Sequence, residues 1–285
     1  NGYNVYKGSN GNGNRRIETR SDKSNNFINI YDDFAYYFIN FDNGPGKRIQ
    51  EVDQPTNSTV ISRYDEYQYI NEEKFNLMKI GRIWTGDAFN GNKSVTFTTR
   101  SPIQPTDVIL YRTRYIAYQA QGNKMTVNIN NVNPVTFSVA PDDRNEYKTV
   151  PYYGSQSNLS GNQLSFNYAP NTAGNPNGKF YFDYAEVQYK EDLKFNNNQM
   201  NFRSYGIAEG SANTYTFNLS DAATAEQLWQ VSDITNVVKK VNKSGNTSNF
   251  NFGYVADSNL FVNEFVAFKN SEAFAPAFVG KIDNQ

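Results

Sequence analysis

The chain is a succession of short strand-forming runs, rich in tyrosine, phenylalanine, valine and isoleucine, that are closed by turn-forming residues. Boundaries such as Gly122-Asn123, Asn133-Pro134 and Gly161-Asn162 recur along its 285 residues. Aromatic and β-branched side chains fit a pleated, half-buried surface, whereas glycine, proline and asparagine favour tight turns. This regular spacing predicts an all-β fold, an antiparallel and jelly-roll-like β-sandwich of many short strands, rather than βαβ units.

Local patterns extend this prediction along the chain. Residues 36–41 and much of 60–70 are strand candidates before Gly81. After it the predicted strands are 95–98, 108–118, 124–129, 135–139, 147–153, 163–168, 180–189, 199–203, 214–217, 228–231, 250–254 and 262–268. Only residues 220–227 favour a helix, with Ser220 as a possible N-cap. We therefore expect at most one or two short helices.

The sequence contains no cysteine and no histidine. Thiol nucleophiles, histidine-based proton transfer and the commonest transition-metal ligands are thus excluded within these residues. The pairs Asp32-Asp33 and Asp142-Asp143 lack the spaced acidic pattern of a calcium loop and are interpreted as turn carboxylates. No cofactor or metal site is predicted.

Charge and composition divide the chain and exclude one class of partner. A net charge of −1 argues against nucleic-acid binding. Residues 1–26 are dominated by glycine, asparagine, serine and arginine, which predicts a flexible, loop-rich arm. Residues 27–78 form a β-rich N-terminal segment, and residues 79–285 the β-sandwich region.

A compact motif at residues 79–89 is neither helical nor a clean strand. Its distinctive residues are Gly81, Arg82, Trp84, Gly86, Asp87 and Phe89. One interpretation is a tight corner in which Trp84 fills the core and Arg82 is paired locally. The other is a partner-binding site, because tryptophan and arginine are enriched at protein interfaces. The residues alone leave both open.

Two carboxylates on a predicted strand, Asp183 and Glu186, are candidate acids. Residues three apart on a regular strand point to opposite faces, so this strand alone is expected to supply no glycosidase pair. Tyrosine and tryptophan on a β-face can also stack on sugar rings or anchor a protein partner.

The motif at residues 79–89 resembles a Gly-Arg-Glu-Trp-x-Gly-Glu-x-Phe signature. That signature occurs in the non-catalytic N-terminal region of the PorU family, the gingipain-like sortases of the type IX secretion system of Bacteroidetes. Ile83 replaces the first acid, and Asp87 stands where the second is usual. Further similar stretches, in the same order, are 181–189, 199–203, 228–236 with Trp229, 265–268 and 278–285. The resemblance covers about residues 60 to 285.

This resemblance implies a parent cysteine endopeptidase and transpeptidase at the cell surface, associated with the outer membrane. Such an enzyme removes C-terminal sorting signals from exported cargo and attaches the cargo to lipopolysaccharide. The catalytic cysteine and histidine would lie in a following peptidase domain, so no catalytic residue is assigned to this chain. The implied partners are a PorV-like outer-membrane β-barrel, the C-terminal signal domains of cargo, and that peptidase domain.

Two alternatives from other functional classes remain. A carbohydrate-binding sandwich of a secreted bacterial protein would use exposed tyrosine or tryptophan. An adhesin-type module would assemble strand to strand and requires long, uncovered edge strands.

Overall fold

The computed structural model describes residues 3–4, 26–27, 34, 36–39, 44–77, 79, 83–118, 124–138, 147–172, 175, 177–209, 213–233, 235–256 and 263–281. Gly81 and Arg82, most of the predicted arm, and the pairs Asp32-Asp33 and Asp142-Asp143 lie outside these ranges.

Strands dominate the described chain, which confirms the all-β prediction. The first ten are β1 (Tyr3–Asn4), β2 (Asn26–Phe27), β3 (Gln50–Val52), β4 (Val60–Ile61), β5 (Arg63–Asn71), β6 (Ala88–Phe89), β7 (Lys93–Ile103), β8 (Ile109–Tyr118), β9 (Lys124–Ile129) and β10 (Val132–Ser138). The others are β11 (Tyr147–Gln156), β12 (Gly161–Asn171), β13 (Lys179–Asp192), β14 (Met200–Arg203), β15 (Thr214–Leu219), β16 (Gln227–Gln230), β17 (Val238–Lys240), β18 (Phe250–Val255) and β19 (Glu264–Phe268).

Helix is confined, within the described ranges, to α1 (Tyr205–Glu209) and one 3-10 turn (Asn270–Glu272). The predicted helix at 220–227 is wrong. Ser220 bridges to Lys194, and the Ala222 N–H donates to the Ser248 carbonyl at 2.7 Å. Tertiary partners therefore take the backbone donors that a helix would use internally. Of the predicted strand 36–41, residues 36–39 form no strand and have exposed side chains, whereas residues 40–41 lie outside the described ranges.

Packing divides the chain into two compact units. One is built on Asp65–Asp192, the other on Asn40–Tyr64 with Leu193–Gln285. This differs from the predicted division at residues 26 and 78. Strand β5 explains the difference, because its residues after Tyr64 join a sheet with β13, more than a hundred residues later.

The first unit, here called the first sandwich, packs two sheets face to face. One has the order β10-β9-β12-β7, and the other β11-β8-β13-β5 with β6 also paired to β13. Alternate side chains of β7, from Val95 to Ile103, point into the core, as a strand with one wet face requires. The core mixes aliphatic side chains such as Leu164 with rings such as Phe166.

The second unit, the second sandwich, combines a five-stranded sheet with a three-stranded one. Their orders are β14-β19-β16-β17-β3 and β18-β15-β4. Most pairings are antiparallel, but β3 and β4 join their sheets in parallel. The core is dominated by phenylalanine and tyrosine rings, with Phe217 fully buried at its centre.

Candidate functional site

A β-bulge in β13 places two candidate carboxylates together. The register with β8 shifts between Phe182 and Tyr184, so that Asp183 is an extra residue. Before the bulge the even-numbered residues, up to Phe182, face the core. After it the odd-numbered residues, from Ala185 onward, face the core instead. Asp183 and Glu186 therefore share the face of the sheet opposite the core. The prediction of opposite faces is wrong, because it assumed an uninterrupted strand.

Each of these carboxylates is bound by an arginine of the neighbouring strand. Arg114 Nε bonds Asp183 Oδ2, and Arg112 Nε lies 3.5 Å from Glu186 Oε1. The arginines are two apart on β8 and so lie on one face. Both carboxylates are buried. Burial raises the pKa of Asp183, and the Arg114 bond opposes that rise only in part.

Tyrosine rings surround the charged pairs. Tyr67 donates a 2.8 Å hydrogen bond to Glu186, and its ring stacks on Tyr69 with centroids 6.2 Å apart. Burial is the largest cause that raises the pKa of Tyr67, and the negative charge of Glu186 raises it further. The Arg114 guanidinium lies 5.0 Å from the Tyr184 ring. The set is called the tyrosine–arginine face: Tyr67, Tyr69, Arg112, Arg114, Asp183, Tyr184 and Glu186.

Sequence reasoning identified only the two acids of this face. One signal was available, because Arg112 and Arg114 alternate with core residues of a predicted strand and so mark a polar outer face. Their acidic partners could not be assigned without knowing of the bulge. No residue type in 181–189 predicts a bulge there.

The predicted motif at 79–89 supports the bulge from the other edge of β13. The Gly86 N–H donates to the Phe182 carbonyl at 2.8 Å, and the Glu72 N–H donates to the Asp183 carbonyl at 3.0 Å. A larger residue in place of Gly86 would force the Glu72 side chain to move, because a Cβ would lie 2.6 Å from Glu72 Cδ and 2.9 Å from Glu72 Cβ. Glu72 is held by Lys93 at 2.6 Å.

Adjacent residues fix this corner to the first sandwich. Thr85 is fully buried and forms a bridge with Phe75. Ala88 and Phe89 pair with β13, and the Phe89 ring packs 6.1 Å from that of Phe180. A structural role therefore belongs to Gly86 and Phe89.

Trp84 is 38% exposed, so the interpretation that it fills the core is wrong. Thr85 and Gly86 take the buried positions instead. Asp87 bonds the exposed Lys74, which lowers the pKa of Asp87 and raises that of Lys74. Trp84 and Asp87 thus present polar and aromatic surface. Their role as a partner site stays a prediction.

Trp229 does not join this corner. It lies on β16 in the second sandwich, where its ring meets Phe268 edge-on at 4.8 Å. The structure thus brings Trp84, Gly86, Asp87, Phe89 and Asp183 to neighbouring segments of one unit. The described ranges contain no group of three acidic side chains able to hold a metal ion. Nor do they contain a helix long and apolar enough to cross a membrane.

Comparison with solved structures identifies this arrangement of sheets. The chain matches the crystal structure of dimeric latent PorU from Porphyromonas gingivalis with a TM-score of 0.64 and 18% sequence identity. The chain has a PorU-like fold. The match covers 84% of this chain but only 23% of the PorU chain, so the PorU-like fold corresponds to under a quarter of that protein.

Other comparisons add little to the PorU-like fold. A virus-like particle of the Macrobrachium rosenbergii extra small virus, from the giant freshwater prawn, shares 15% identity. That match covers 53% of this chain and 95% of the viral one, but its TM-score of 0.20 supports no inference about fold. No protein-family model and no curated protein matches the sequence.

Proposed function

We propose that this chain is the non-catalytic β-scaffold of a PorU-like cell-surface sortase. The observation that carries the proposal is the PorU-like fold over 84% of the chain. The ordered similarity of residues 60 to 285 to the family's N-terminal region supports it independently. The complete absence of cysteine and histidine fits a division of labour in which a separate peptidase domain does the chemistry.

In this proposal the parent enzyme removes C-terminal signals from type IX secretion cargo and attaches the cargo to lipopolysaccharide. Its partners are the peptidase domain, the cargo signal domains and a PorV-like outer-membrane β-barrel. Trp84 is the proposed anchor for the barrel. A partly exposed tryptophan beside a rigid, glycine-based corner resembles the preorganised aromatic anchors that dominate interfaces.

The adhesin alternative has less support from the sheet edges. Three edge strands of the first sandwich contain proline, namely β7 (Pro102), β10 (Pro134) and β11 (Pro151). Proline has no N–H to donate to an added strand and is typical of protected edges.

The test is Trp84→Ala in the full-length parent protein. We expect the melting temperature to be almost unchanged, because the side chain is outside the core. Affinity for the purified PorV-like barrel should fall about 30-fold, and cargo should keep its C-terminal signal. Val108→Ala is the matched control, since this apolar side chain of the first sandwich has nearly the same exposure, 39%, and lies outside the corner. Unchanged barrel affinity together with normal signal removal would rule out Trp84 as the anchor.

A second measurement tests the division of labour. The isolated 285-residue chain should not cleave peptides that carry C-terminal cargo signals, whereas the parent protein should. Turnover by the isolated chain, at a rate proportional to its concentration, would overturn the scaffold proposal.

A further inference from the structure

The tyrosine–arginine face contains a polar group that the fold leaves unused. Gln188 follows Glu186 by two residues on β13 and therefore points to the same face. Its side chain is 5% exposed, and its Nε2 has no hydrogen-bond partner. A buried, unpaired amide N–H costs about 1–3 kcal/mol, and Gln188 Nε2 is one of six unpaired buried side-chain atoms among the described residues.

Another donor on this face is only partly used. A guanidinium has five N–H donors, and the bond from Arg114 Nε to Asp183 uses one of them. Its Cζ also lies over the Tyr184 ring, 5.0 Å from the ring centre, in a cation–π contact that helps to hold the group in place. Arg114 and Gln188 therefore offer oriented N–H donors beside the rings.

The Tyr67 and Tyr69 rings add apolar surface beside these polar donors. The Tyr67 and Tyr69 rings are half-buried and stack on each other, with planes 29° from parallel and centroids 6.2 Å apart. Residues two apart on a strand lie on one face of the sheet, so the two stacked rings support each other and offer apolar ring surface edged by hydroxyls.

Several acidic and basic side chains of this region lie in pairs. Arg112 pairs with Glu186, Arg114 with Asp183, and Lys190 with Asp65 at 2.7 Å. Charges that are paired in this way attract a further anion or cation less strongly than isolated charges would. Rings together with oriented, neutralised polar groups match a ligand that has apolar C–H faces edged by hydroxyls.

We propose that the tyrosine–arginine face binds a neutral carbohydrate chain. Sugar rings stack on Tyr67 and Tyr69, while Gln188 and Arg114 donate hydrogen bonds to hydroxyl oxygens. This goes beyond the scaffold role and does not depend on it, because a sortase scaffold and an unrelated surface protein can both carry such a site. It gives the carbohydrate-binding alternative a specific location.

The test is affinity electrophoresis of the 285-residue chain in gels that contain soluble dextran, mannan or laminarin, with heparin as an anionic comparison. We expect retardation by at least one neutral polysaccharide. Tyr69→Ala should weaken that binding at least about tenfold, because one stacking surface is lost. Tyr118→Ala is the matched control. This tyrosine stacks on Tyr147 at 4.6 Å on the same sheet, six residues from Arg112 on β8.

Gln188→Leu separates a binding role from a structural one. Replacing an unpaired buried amide by an apolar side chain of similar size should leave the melting temperature unchanged or raise it. The same change should weaken polysaccharide binding several-fold, because a donor is removed. Opposite effects on stability and binding are not expected of a residue that only packs.

Three outcomes would overturn the proposal. The first is no retardation by any of the three neutral polysaccharides. The second is retardation by heparin alone that salt abolishes, which would indicate a general ionic attraction. The third is equal weakening by Tyr69→Ala and Tyr118→Ala, because the binding would then not be located on this face.

Discussion

The two sandwiches accommodate buried charge in different ways. In the first, Asp183 and Glu186 face arginines, and Glu191 accepts hydrogen bonds from the Arg100 and Ser101 N–H groups at 2.8 Å each. In the second, the Lys240 side chain is 1% exposed and meets the Gln54 side-chain carbonyl and the Tyr254 ring, with its Nζ 5.6 Å from the ring centre. No carboxylate pairs with it among the described residues.

This difference shows two solutions to the cost of burying an ion. An opposite charge offsets that cost and fixes the geometry of the site, as on the tyrosine–arginine face. Without one, the equilibrium between the charged and neutral forms shifts instead, and burial lowers the pKa of Lys240 to about 8.

The cores differ as well. The first sandwich has strands of up to 14 residues, whereas the strands of the second that surround its core, from β14 to β19, have at most six. Short strands form fewer ladder hydrogen bonds, so ring packing has to contribute more of the stability of the second sandwich. Phe217 illustrates this, with the Phe252 and Phe265 rings each 4.9 Å away.

The largest effect is expected from Phe217→Ala. Removing a fully buried ring should lower the free energy of unfolding by about 3–5 kcal/mol, through lost burial and a cavity that short strands cannot close. Urea unfolding followed by aromatic circular dichroism measures it. Phe278→Ala, at an 82% exposed position, is the control and should be near neutral. A cost below about 1 kcal/mol for Phe217→Ala would contradict the dependence of the second sandwich on its rings.

Alternation and turn spacing were sufficient to predict the sandwich class, because each strand must bury one face. The pattern of β7 is an example, with every second residue from Val95 to Ile103 buried. The sequence-based predictions are wrong where contacts between distant segments determine the local structure. Residues 220–227 have helical composition, but partners at Leu193 and Ser248 take their backbone groups. The bulge at Asp183 depends on the Glu72 and Gly86 N–H groups, more than ninety residues earlier.

A smaller, pH-dependent effect is expected for Lys240. Below pH 8 the lysine is protonated in both states, and the folded state bears the full cost of the buried charge. Between pH 8 and its ordinary pKa of 10.5 the folded state releases a proton that the unfolded state keeps. The free energy of unfolding should therefore rise with pH across this window, by up to about 3 kcal/mol.

Lys240→Met should remove this rise and stabilise the protein at pH 7. Other groups also titrate in this range, so the decisive quantity is the difference between wild type and variant in urea unfolding at pH 7 to 11. Lys239→Met is the control, because this neighbour is only partly buried and lies 3.6 Å from Glu51. A difference that stays constant with pH would show that Lys240 is not the source of the pH dependence.

The smallest expected effect concerns the corner that supports the bulge in the first sandwich. Gly86→Ala would press a methyl group against Glu72, and we expect a cost of about 1–3 kcal/mol in thermal or urea unfolding. Gly91→Ala is the matched control, because nothing lies within 4 Å of its Cβ. Since Glu72 is the obstacle, Glu72→Ala combined with Gly86→Ala should cost less than the two single changes added together. Strict additivity would mean that the Glu72 side chain is not the obstacle and that the glycine is needed for another reason.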